Sequence, residues 1–220
     1  MAQRTAIVAG ATGLVGAQIL RGLLADPSVG QIHVLARRAP PVENPKLVVH
    51  LVDFARLPPL PAAAAELYLA LGTTIRAAGG QAAFRALDFD ANLAVASAAL
   101  AAGVERAGLV SAMGADARSR VFYSRVKGEL EDALAAFPFT GLVIARPSLL
   151  TGDREELGQK RRRGEAFGHA LDRVAGFLIP ANYKPIAAAD VARSLLMGVP
   201  KAMGAQVLLS GAMRRQHGAR

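Results

Sequence analysis

The chain has 220 residues, 52% of them hydrophobic, with 26 Lys and Arg against 17 Asp and Glu for a formal net charge of +9. That much apolar material excludes a disordered chain and is enough to build the core of one large domain. Cysteine is absent and the histidines (His33, His50, His169 and His217) are scattered, which excludes disulfides and thiolate metal sites and leaves no clustered His ligands.

The first element is the apolar run Ala6-Ile7-Val8-Ala9, which reads as a buried parallel strand. Gly10, Gly13 and Gly16 follow, and from Leu14 onward Val15, Ile19, Leu20, Leu23 and Leu24 recur at helical spacing. A strand, a glycine turn and a helix in that order bring the free N–H groups and positive dipole end of the helix up to a phosphate. Gly10, Ala11, Thr12, Gly13, Leu14, Val15 and Gly16 are therefore the expected phosphate cradle of a dinucleotide site. The spacing is G-x-x-G-x-x-G rather than the G-x-G-x-x-G of the standard fingerprint.

Residues 32–36 form the second strand, ending in Arg37-Arg38 with no Asp or Glu until Glu43. An acid at this strand end would bind a ribose 2′-hydroxyl, whereas a guanidinium suits a 2′-phosphate, so the expected cofactor is NADP(H). The third strand, residues 46–52, ends at Asp53, which either meets an adenine amino group or caps its own turn. The fourth, residues 67–71, closes in Leu71-Gly72-Thr73-Thr74, expected to run along the ligand, with Thr73 a possible helix cap.

Residues 82–102 are expected as one alanine-rich helix stopped by Gly103. A fifth strand over 107–110 leads to Ser111, a helix runs over about 122–136, and a sixth strand over 141–145 leads to Arg146-Pro147-Ser148. Beyond lie a basic loop over 152–164, helices over 165–178 and 187–197, and a last strand over 206–209, before a frayed basic tail. The alternation predicts an α/β fold with a doubly wound parallel sheet, a single domain over 1–220 with a substrate lobe formed mainly by 147–200. Ligands of such sheets bind at the carboxyl ends of the strands, where every motif named here falls.

Tyr123 and Lys127 stand four residues apart and so share one helix face. A lysine ammonium near a phenol favours phenolate and makes the tyrosine a usable proton donor or acceptor, while Ser111 offers a hydroxyl to a substrate oxygen.

Four motifs in order, GATGLVG (10–16), SAMGAD (111–116), YSRVKGELE (123–131) and RPSLLTGDREE (146–156), make the chain resemble an atypical short-chain dehydrogenase/reductase. It looks most like the Tat-interacting-protein-like branch, which shares the Leu-Gly-Thr-Thr of residues 71–74. The resemblance covers about residues 4–210 and implies a Rossmann-type domain binding NADP(H). It assigns Ser111 to polarise a carbonyl, Tyr123 to transfer the proton, and Lys127 to hold the nicotinamide ribose and lower the tyrosine pKa. It also places Pro147, Ser148 and Leu149 beside the nicotinamide, and Asn92 near a helix asparagine of extended members, where capping or packing is the simpler role.

The resulting expectation is an NADPH-dependent oxidoreductase acting on a small carbonyl or hydroxyl compound. The alternative is an NADP(H)-binding regulatory or redox-sensing protein without turnover. No apolar run of about 20 residues lacks a glycine turn, so no membrane partner is expected, and without a signal-peptide pattern the compartment is expected to be cytoplasmic. Lys160-Arg161-Arg162-Arg163 read as solvated surface rather than a specific nucleic-acid site, and the assembly is expected to be a monomer or homodimer.

Overall fold

The computed structural model describes residues 3–60, 64–152 and 180–216. Seven strands form one parallel sheet: β1 (Arg4–Ala9), β2 (Val29–Ala36), β3 (Leu47–Leu51), β4 (Glu66–Leu69), β5 (Arg106–Val110), β6 (Gly141–Arg146) and β9 (Gly204–Leu209). Their order is β3-β2-β1-β4-β5-β6-β9, so the winding reverses between β1 and β4. A crevice opens at such a reversal, beyond the carboxyl ends of both strands. The expected doubly wound Rossmann-type fold is the one observed.

Alternation along each strand divides the core into two layers. Ala6 and Val8 of β1 face α1 (Leu14–Ala25) and α6 (Ala188–Gly198), packing on Ile19, Leu23, Val191 and Leu195. Ile7 and Ala9 face the other layer, where α4 (Asn92–Ala101) and α5 (Phe122–Ala135) contribute Val95, Ala99, Leu130 and Leu134. With both faces covered, the central strands are apolar throughout, which is why they read as continuous runs.

Several boundaries differ from the sequence reading. β4 ends at Leu69, although Ala70 N–H still donates to Ala9 O at 2.8 Å, and β3 spans only Leu47–Leu51. The single helix expected over 82–102 is instead α3 (Gln81–Arg85), a π-helical turn (Ala86–Ala91) and α4, preceded by the short α2 (Ile75–Ala78), from which Gly79 and Gly80 separate it with positive φ. At the π-helical turn sits Asn92, whose amide donates to Leu87 O at 3.3 Å, Asp88 O at 3.0 Å and, across to the strand end, Leu71 O at 3.3 Å. A side chain inserted among helical carbonyls widens the turn. The helix cap is Thr74, not Thr73: its hydroxyl accepts from Ala77 N–H at 3.2 Å. Two-residue strands β7 (Leu150–Thr151) and β8 (Ile186–Ala187) pair with each other, and part of the tail expected to fray is helix α7 (Ser210–Arg215). Half of the expected substrate lobe, residues 153–179, lies outside the described residues, and with it the helix expected over 165–178 and all of the basic loop after Gly152.

Candidate functional site

The crevice holds two cavities that share part of their walls. The outer one, about 470 Å³, is lined by Gly10, Thr12 and Gly13 from the turn after β1, by Leu35 to Arg38 after β2, and by Phe54, Ala70, Leu71, Gly72 and Leu87. The inner one, about 170 Å³, shares Gly13, Ala70, Leu71 and Gly72 and adds Leu14, Val15, Thr73, Asp88, Val110, Ser111, Tyr123, Lys127 and Leu150. A long ligand with a middle phosphate group matches that plan. Its centre lies over the glycine turn, one end beside the arginines and the other beside Tyr123.

Side chains are excluded from the turn by the backbone itself. Gly10 has φ +92°, and a Cβ there would sit 2.4 Å from Ala70 C and O. A Cβ on Gly16 would sit 2.0 Å from Gly10 O. These two glycines let β1, the turn and α1 close on one another. Gly13 N–H donates back to Gly10 O at 2.9 Å, fixing the turn. Ala11 lies on its far side, buried against the core.

Arg37 and Arg38 are exposed at the cavity wall as expected. Asp53 is not among the residues lining it. Its Oδ1 accepts from Ala55 N–H at 3.0 Å, so of its two expected roles the structure shows the turn cap. Phe54, the next residue, lines the cavity instead. Pro147, Ser148 and Leu149 also lie outside both linings: Pro147 O accepts from Met113 N–H at 2.8 Å, Ser148 Oγ donates to Lys184 O at 2.5 Å, and Leu149 is exposed. Leu150, held by the small β7–β8 pair, reaches the inner cavity in their place.

The inner cavity brings Ser111, Tyr123 and Lys127 together, and each has a setting the sequence did not announce. The Tyr123 ring packs against Phe84 with centroids 5.4 Å apart. Lys127 Nζ lies 2.7 Å from Asp88 Oδ1, and both side chains are almost fully buried. Asp88 Oδ2 accepts from Thr73 N–H at 2.8 Å, so one carboxylate ties the lysine to the Leu71–Thr74 turn. Ser111 donates to Glu131, and Glu131 is chelated by Arg146, whose Nε lies 3.1 and 3.0 Å from its two oxygens. Donating to the Glu131 carboxylate holds the Arg146 guanidinium above its ordinary value, against the opposing effect of burial. A carboxylate has only acceptors, so in this arrangement the single Ser111 proton points to Glu131. The expected carbonyl-polarising role would require that hydroxyl to turn from Glu131 to the substrate.

No protein-family model matches the chain. Protein FMP52, mitochondrial, of Candida albicans is 33% identical over 194 residues, spanning 84% of this chain and 83% of the relative. The FMP52 protein of Coccidioides immitis is 38% identical over 189 residues, spanning 79% and 75%, and fmp52 of Emericella nidulans is 37% identical over 178 residues, spanning 75% of each. The chain belongs to the FMP52 family.

Solved structures with the same fold as this FMP52-family chain include MoeE5 in complex with UDP-glucose and NAD, at TM-score 0.67 and 15% identity over 93% of this chain and 76% of that one. The UDP-N-acetylglucosamine 4-epimerase of Methanobrevibacter ruminantium superposes at TM-score 0.69 and 13% identity, covering 95% and 77%. The WbmG enzyme of Bordetella bronchiseptica in complex with NAD does so at 0.65 and 16%, covering 97% and 76%. The family relatives are named mitochondrial, which overturns the cytoplasmic expectation. The patterns on which that expectation rested bear only on secretion and membrane insertion, and do not separate cytosol from mitochondrion.

Proposed function

We propose that this FMP52-family chain is an NADP(H)-dependent oxidoreductase of the short-chain dehydrogenase/reductase type, acting on a small carbonyl or hydroxyl compound. The observation that carries the reading is the wall the two cavities share at Gly13 and Ala70 to Gly72. A glycine turn with no room for side chains at Gly10 and Gly16 stands between an arginine-walled compartment and one holding Tyr123 and Lys127. The residues suit the dinucleotide: Gly10 to Gly16 for its phosphates, Phe54 and Leu87 for the adenine faces, and Arg37 and Arg38 for the 2′-phosphate. MoeE5 and WbmG, which share the fold, form complexes with NAD, consistent with a nicotinamide dinucleotide here. The Leu71–Thr74 turn favours the Tat-interacting-protein-like branch, and the names of the relatives favour a mitochondrial location.

When bound, the nicotinamide supplies or takes the hydride. The chain supplies the rest. Tyr123 gives a proton to, or takes it from, the substrate oxygen. Lys127, anchored by Asp88 and lining the same cavity as Tyr123, would hold the nicotinamide ribose. Ser111, donating its own proton in a hydrogen bond to Glu131, accepts one from a substrate hydroxyl and so orients it.

One observation favours the regulatory reading. Lys127 and Ser111 both have strong partners within the protein, as they would in a binding pocket that never turns over. A screen of NADPH oxidation against aldehydes, ketones and quinones separates the two. Turnover that falls by roughly 10²–10⁴ in Tyr123→Phe supports the enzyme. NADPH binding without turnover of any of them supports the sensor.

A further inference from the structure

Another cavity, about 530 Å³, lies on the outer flank of α1 and is not needed by the proposed reaction. One wall is a stripe of α1, with Ala17, Leu20, Arg21 and Leu24 at three- and four-residue spacing. The other is the segment after β2, carrying Pro40, Pro41 and Val42. That wall is pre-set: both prolines have fixed φ, and Val42 N–H donates to Pro40 O at 2.9 Å.

The lining is apolar apart from Thr12 and two guanidiniums, Arg21 and Arg38, and it contains no acidic residue. Among the described residues neither arginine has a carboxylate partner. An apolar trough with unneutralised guanidiniums is complementary to an amphipathic anion. The planar forks take a carboxylate by paired hydrogen bonds, and the walls remove an alkyl chain from water. The volume lies within the range of small-ligand sites. A bare inorganic anion would answer the charge and leave the walls wet. A cofactor phosphate reaches Arg38, which lines both this cavity and the cofactor cleft, but Arg21 lines this one and not the cleft.

We propose that the flank of α1 is a binding site for an unbranched, medium-chain fatty carboxylate, its head held by Arg21 with Arg38 and its chain lying between Leu20, Leu24, Pro40 and Val42. The site shares Arg38 with the proposed cofactor cleft, but Arg21, Leu24 and Val42 play no part in that reading, so their variants test this site separately.

Calorimetric titration of the full chain with hexanoate, octanoate, decanoate and decanol tests it, with thermal melts to verify that each variant folds. Affinity should rise about fourfold for each methylene added along the acid series, the worth of one buried CH₂. Decanol should bind at least about tenfold more weakly than decanoate, and Arg21→Ala and Val42→Asp should each weaken decanoate by about tenfold. No decanoate binding, or no dependence on chain length, overturns the proposal. So does binding that Arg38→Ala abolishes while Arg21→Ala and Val42→Asp leave it unchanged, because the carboxylate then sits in the cofactor cleft.

Discussion

Asp88→Asn is a nearly isosteric change with a large expected cost. Asp88 is fully buried and the Lys127 side chain is only 6% exposed, with 2.7 Å between the charged atoms. The amide keeps the shape and, through its oxygen, the hydrogen bond from Thr73 N–H, but it leaves the ammonium without a counter-charge away from water. Breaking one side of a buried ion pair costs about 3–5 kcal/mol. In a domain of this size each kcal/mol lowers the melting temperature by about 2–4 °C, so a drop of about 6–20 °C is expected. Lys127→Met should destabilise for the mirror-image reason. The double variant Asp88→Asn/Lys127→Met should recover most of the loss, since neither charge is then stranded. Urea denaturation of the four proteins gives the coupling directly. Single-variant losses that add to within about 0.5 kcal/mol would refute the pair as an energetic unit.

Gly16→Ala should cost at least about 1–3 kcal/mol and weaken NADPH binding, because the new methyl meets Gly10 O at 2.0 Å and must push the phosphate turn outward; a melt and an NADPH titration matching wild type would contradict this. His33 makes a different prediction. Burial first, and then the neighbouring His50, push its imidazole below the ordinary value, so below about pH 6.5 the unfolded chain binds more protons than the folded one. Stability should therefore fall as the pH drops from about 7.5 to 5.5, and His33→Gln should flatten that slope, as thermal melts across the range will show.

What was legible in the sequence was what periodicity and turn chemistry control. The β1–glycine–α1 unit, the arginines after β2 and the Tyr123–Lys127 pair each lie in a run whose backbone follows from local spacing, and topology carries them to one crevice. The polar groups behind them depend on which face of a helix meets the sheet. Asp88 and Asn92 lie on the stripe that holds Phe84, Ala91, Val95 and Ala99, and a carboxylate on such a stripe marks a buried partner. Glu131 likewise lies between the buried Leu130 and Leu134, although its run, Glu129-Leu130-Glu131-Asp132, reads as solvated charge. The direction of the Ser111 proton was unreadable without Arg146, fifteen residues beyond Glu131 and carried alongside it by β6. Pro147 to Leu149 lie outside both linings for a similar reason: the paired hydroxyls of Ser148 and Ser210 bind that stretch to the start of α7, and Leu150 lines the inner cavity.

The central claim is that the cleft takes a dinucleotide bearing a 2′-phosphate, and calorimetric titration of the wild-type chain with NADPH and with NADH tests it most directly. NADPH should bind at least about tenfold more tightly, a difference of about 1.4 kcal/mol, and Arg37→Ala should erase that margin while leaving NADH affinity unchanged. Equal affinities for the two would contradict the assignment of Arg37 and Arg38 to the phosphate, and failure of both to bind would contradict the cofactor site itself.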